Sequence, residues 1–215
     1  MEDNMPRNAK ATRALILHAA HRQFFRQGFA RVKMSDIASA AGLTKRTLYH
    51  HFDSKDSLLE AMLEFQHELS SESYARSFAK APGGHEALVR RLFEDLEAWA
   101  NGKTFLGSGF TRLATELGDL RGHPAMRLAR MHKATLEKLF ADELAVRGAE
   151  NAEQLARKVW LLMEGAMIMM LIHCDIAYIR TASNAAINLV QHSKDRVKML
   201  TDNEILGSDA DLHRE

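Results

Sequence analysis

Residues 32–59 read VKMSDIASAAGLTKRTLYHHFDSKDSLL, and this stretch decides the fold. Met34, Ile37, Ala38 and Ala41 recur at i, i+3, i+4 and i+7, one face of a helix. Gly42 follows and supplies the positive φ of a sharp helix stop. Thr44 suits an N-cap, with Leu43 and Leu48 at the N′ and N4 positions of a hydrophobic staple. A second helix therefore begins almost where the first ends, which is the sequence form of a helix-turn-helix. Thr44 at its start and Lys45, Arg46, Thr47, Tyr49 and His50 on its outward positions are the candidate DNA contacts. Such groups near a helix N-terminus suit phosphates and base edges, and the helix dipole favours phosphate there. Lys45 and Tyr49 are expected on backbone phosphates, and Arg46 and Thr47 on base edges.

Outward from this stretch, Ile16-Leu17, Ala20, Phe24 and Gly28-Phe29 precede it, and Phe52 and Lys55 close it. With Ile37-Ala38, Ala41-Gly42 and Thr47-Leu48-Tyr49-His50, the pattern over about residues 12–60 resembles the TetR family of transcriptional regulators. Beyond that span only length and helical layout match. One position departs from the family pattern. Lys33 stands where a capping Thr is usual, so any phosphate contact there is made by charge. The resemblance implies repression relieved by a ligand, and a dimer built from the last two helices.

Composition agrees with an all-helical chain, since Gly and Pro are sparse among 215 residues. The formal charge of +1 hides an asymmetry. Residues 4–55 hold ten Lys and Arg against Asp36 and Asp53, so the remainder is net acidic. Cys174 is the only cysteine, which excludes an intrachain disulfide and suits a reducing cytoplasm. Leu15 to Ala20 is too short for a signal peptide, and the apolar run 159–172 is broken by Glu164 and too short to span a membrane.

The whole chain reads as all-α, about nine helices. An N-terminal three-helix domain (9–55) carries the helix-turn-helix. A C-terminal helical domain (56–200) is expected to bind effector and dimerise, with polar tails at 1–8 and 201–215. Lys55 lies in the first turn of the fourth helix, where the dipole favours acids, so a phosphate partner is expected for it. Ala81-Pro82-Gly83-Gly84 is the clearest break. Helices are expected over about 85–100, 105–120, 124–147, 152–173 and 176–200.

No phosphate loop, nucleophile elbow or metal-ligand set completes itself in this sequence, so neither catalysis nor a cofactor is expected. On helix eight, Trp160, Met163 and Met167 form one stripe, while Leu162, Ala166 and Met169 mark another. The second stripe, with Ile179, Ala182, Ser183 and Ala186 of helix nine, is the expected dimer interface. The first, with Trp99, Phe105, Phe110 and the acid Glu164, is the expected ligand pocket, its adaptable methionines suiting varied apolar guests. Gly107 and Gly109 are expected to loosen its wall. The sequence thus points to a homodimeric cytoplasmic regulator of double-stranded operator DNA released by a small hydrophobic effector. The alternative is a helical DNA-binding regulator without an effector, controlled by abundance or a protein partner.

Overall fold

The computed structural model describes residues 7–103, 105–120 and 122–191, and every regular element among them is a helix. In chain order these are α1 (Arg7–Gln27), α2 (Met34–Ala40), α3 (Lys45–His51), α4 (Lys55–Lys80), α5 (His85–Ala100), α6 (Gly109–Leu117), α7 (Pro124–Val146) and α8 (Ala152–His173). A further helix, α9, covers 177–191. The expected continuation of α9 to residue 200 and the tails at 1–6 and 201–215 lie outside the described residues. Arg7 and Asn8, expected in the tail, already belong to α1.

The chain divides into two compact units. The first holds the described residues up to Tyr74 together with Leu106–Leu136. Its core joins Ile16, Leu17 and Phe24 of α1, Ile37 of α2, Leu48 of α3 and Leu58, Leu59 and Met62 of α4. Phe110, Leu113 and Leu117 of α6 and Leu128 of α7 complete the same core. The three N-terminal helices therefore do not rest on themselves alone. A head ending at residue 55 names the reading helices, whereas the apolar mass beneath them comes partly from residues far along the chain.

The second unit holds Ala75–Phe105 and the described residues from Glu137. Phe78, Phe140 and Trp160 form a chain of rings with centroids 5.4 Å and 6.1 Å apart. Arg147 Nη2 donates at 2.9 Å to the Phe78 carbonyl, which also accepts from the Ala81 N–H at 3.1 Å, so the guanidinium reinforces the last turn of α4. Arg180 donates to Glu97 Oε1 and Arg157 to Glu137 Oε1, but these pairs are exposed and add little stability.

Helix α6 is shorter than its sequence suggests. Gly107 takes φ 69° and Ser108 is extended. The Ser108 hydroxyl accepts from the Thr111 N–H at 3.3 Å, which sets the start at Gly109. Gly109 does not loosen a wall. A Cβ there would stand 1.9 Å from the Phe25 ring, so the glycine lets α1 and α6 approach closely.

Candidate DNA-reading surface

The turn between α2 and α3 is fixed by its own hydrogen bonds. Gly42 takes φ 69°. The Leu43 N–H donates to the Ala38 carbonyl at 2.9 Å and the Gly42 N–H to the Ser39 carbonyl at 3.0 Å, the paired bonds of a Schellman stop. Thr44 Oγ1 then accepts from the Thr47 N–H at 3.1 Å and caps α3. Leu48 is fully buried and anchors α3 to the core. With this anchor inward, Lys45, Arg46, Tyr49 and His50 face solvent.

The other expected DNA contacts fare differently. Lys33 is exposed at the N-cap of α2, and its side chain makes no cap bond. Asp36 supplies the compensation, its carboxylate accepting from the Lys33 N–H at 3.0 Å. The Lys33 ammonium is not used in that cap. The Thr44 and Thr47 hydroxyls lie 2.8 Å apart and share a hydrogen bond, which leaves Thr47 half-buried with part of its hydrogen-bonding capacity used. The Lys45 ammonium lies 5.7 Å from the Tyr49 ring centroid, and this contact holds both side chains along one edge of α3.

Lys55 needs no phosphate to explain it. Its ammonium donates to the Phe29 carbonyl at 3.0 Å and to the Val32 carbonyl at 3.2 Å, and sits 4.2 Å from the Phe29 ring centroid. The lysine in the first turn of α4 is thus a tie to the α1–α2 turn. Dipole reasoning saw the anomaly but could not see the carbonyls, which are more than twenty residues away.

Two features of the first unit carry no local sequence signal. Glu116 of α6 accepts from the N–H groups of Phe29 and Ala30 at 2.9 and 2.8 Å. His132 of α7 is buried, stacks on Phe110 at 3.7 Å and shares an Nδ1–Nδ1 hydrogen bond of 3.0 Å with His67 of α4. Burial first, then Lys133 and His67, hold the His132 pKa down to about 3.

Of the expected ligand residues, Phe110 belongs to the first unit and the others to the second. Phe105, Trp160, Met163 and Met167 are buried, but Trp99 is 46% exposed and meets the Phe105 ring edge-on at 4.8 Å. Glu164 is half-buried and is engaged within the protein, so it is not the lone charge that its neighbours suggest. Among the described residues, no group of three His, Cys, Asp or Glu gathers as metal ligands, and no helix is long and apolar enough to cross a membrane.

The expected dimer residues need correction. Ile179 and Ala186 are 0% exposed within a single chain, and Ala182 and Ala166 nearly so. A side chain with no accessible surface has none left to bury against a partner. Small side chains here serve close packing inside the second unit. Leu162 and Ser183 are half-buried, and Met169 is exposed. The open apolar stripe of α8 is instead Leu161, Ile168 and Ile172, with Gly165 between them.

A capped, outward-facing helix of basic and hydroxyl side chains, set by a tight turn on a buried leucine, defines a helix-turn-helix protein of the DNA-binding class. Comparison with known proteins narrows this. A family model for bacterial regulatory proteins of the tetR family matches residues 16–62. A solved structure of a putative TetR transcriptional regulator from Streptomyces avermitilis is 30% identical, with a TM-score of 0.65, over 81% of this chain and 97% of that one. The chain belongs to the TetR family. The reduced form of Escherichia coli NemR has the same fold, with a TM-score of 0.76 at 18% identity over 83% of this chain and 96% of that one. The transcriptional regulator TtgR of Pseudomonas putida is 45% identical over 92 residues, which is 41% of this chain. That match spans 44% of TtgR, less than half its length.

Proposed function

We propose that this chain is a homodimeric, sequence-specific DNA-binding repressor of the cytoplasm, released from its operator by a small hydrophobic effector. Residues 9–55 read the DNA, and 56–200 bind the effector and dimerise. The observation that carries the reading is the exposed face of α3, held in one orientation by the Schellman turn, the Thr44 cap and buried Leu48. Lys45, Tyr49 and Lys33 bind phosphates, His50 adds a donor, and Arg46 reads a base edge. A guanidinium suits the O6/N7 edge of guanine. Dimerisation through the α8 stripe presents two reading helices to two half-sites. The effector reading draws on the buried aromatic and methionine stripe of α8. The complete burial of Met163 favours the rival, effector-free reading, in which that stripe is ordinary core.

The test uses the duplex that the wild-type protein enriches from a randomised pool. Arg46→Ala should relax preference at one base pair per half-site, costing roughly 1–3 kcal/mol there. Lys45→Ala should weaken enriched and scrambled duplexes alike and flatten the salt dependence. Equal losses on both duplexes for Arg46→Ala would remove its base-reading role. For the effector, a panel of hydrophobic cationic and neutral small molecules should contain members that raise the melting temperature and release the duplex. A panel with no such member leaves the effector-free reading.

A further inference from the structure

The turn after α1 forms an anion-binding concavity, and the chain fills it with its own side chain. Gly28 takes φ 84°, and the N–H groups of the next two residues, Phe29 and Ala30, converge on the Glu116 carboxylate. Successive N–H groups beside a left-handed residue make a nest for negative charge. The glycine also provides room, since a Cβ at position 28 would stand 3.0 Å from Glu116 Oε2 and 3.1 Å from Oε1. The carbonyls of the same turn are held from the other sign of charge, by the Lys55 ammonium on Phe29 and Val32. An anion from α6 and a cation from α4 therefore grip the segment that leads into α2, and α2 delivers α3.

The far end of α6 is tied as well. Ser108, its N-cap, accepts from the Lys133 ammonium at 2.9 Å. Phe110 stacks on His132, which is bonded to His67 of α4. Gly109 presses on Phe25 of α1. Helix α6 is thus a short strut, anchored on α4 and α7 at one end and on the reading head's turn at the other.

We propose that Glu116 is a positioning residue for DNA reading. Its carboxylate holds the turn from Gly28 to Val32 so that α3 meets the DNA already placed. The proposal rests on the reading of α3 as the DNA-contacting helix. Losing the grip adds freedom to α2 and α3 that must be removed again on docking, which weakens base reading. Phosphate attraction depends little on that placement. Removing one negative charge should leave it unchanged or slightly stronger.

The experiment measures binding of wild type and Glu116→Gln to the duplex enriched by the wild type and to a scrambled duplex, at one salt concentration and well below the melting temperature of each. The Gln side chain keeps one acceptor oxygen but sets an NH2 against the other amide and loses the charge, so one bond breaks and the other weakens. Affinity for the enriched duplex should fall roughly tenfold while that for the scrambled one holds. Exchange of the Phe29 and Ala30 amides should quicken. A residue serving stability alone would lower the melting temperature and leave the affinity ratio intact, and that result overturns the proposal, as does an equal loss on both duplexes. Should the Gln variant not fold, Glu116→Asp keeps the charge and shortens the reach. A contracted ratio for it supports the grip and a wild-type ratio overturns it. A wild-type protein that enriches no sequence refutes DNA reading itself and is distinguishable from either result.

Discussion

At the scale of single residues, the chain's histidines separate by environment rather than by sequence. His132 is enclosed between Phe110 and His67, and its pKa falls to about 3. His21 falls to about 4, through burial first and then the charges of His18 and Arg22. In the unfolded chain each imidazole takes up its proton near pH 6.5, and in the folded chain neither does so until far lower. The unfolded state therefore binds more protons across that window, and stability falls as the pH drops below about 7. For His132 alone the loss by pH 5 should be on the order of 1–2 kcal/mol. Denaturant unfolding at pH 7 and pH 5 measures it, and a stability equal at both values would mean that His132 protonates freely in the native protein. None of this is legible in the sequence, because the partners of His132 come from two other helices, α4 and α6.

At the scale of elements, local chemistry placed the boundaries wherever caps and stops were local. The turn from Gly42 to Thr44 behaves as its residues require, down to the bond pattern of the stop. Helix α5 begins and ends at His85 and Ala100, as expected after the Pro-Gly break, and Asn101 is its C-cap. The start of α6 lies beyond the expected 105, because apolar periodicity continues back through Phe110 and Phe105, whereas Ser108 caps and Gly107 turns. The contact of Gly109 with Phe25 yields a prediction for the α1–α6 packing. Gly109→Ala must push the Phe25 ring aside and should destabilise the protein by roughly 1–3 kcal/mol. Thermal unfolding monitors this, and a variant as stable as wild type would mean that the ring swings away without cost.

At the scale of the whole molecule, burial within one chain decides which apolar stripe is free. Ala186→Arg, attractive from the small residues of α9, would attack the protein's own interior, since Ala186 is fully buried. Leu161 and Ile172 are 69% and 67% exposed, three turns apart along α8. Large apolar groups in such a row normally find a partner surface. If the proposed dimer forms through this row, changing both to Asp should raise its dissociation constant roughly hundredfold or more, since each leucine-sized side chain contributes about 1.5–3 kcal/mol when buried. Sedimentation of the double variant reads this directly, and an unchanged dimer moves the interface away from α8.

The sequence by itself determined the all-helical class, the helix-turn-helix and the side chains facing outward from α3. It could do so because caps, turns and 3.6-residue periodicity act over a few neighbouring residues. Tertiary structure alone decided that Lys55 ties down a turn, that Glu116 fills the nest beside Gly28 and that Ile179 and Ala186 are core. Each of these depends on groups brought together from distant parts of the chain. Glu116 lies 87 residues from the amide of Phe29 that it accepts from, and no local rule spans that gap.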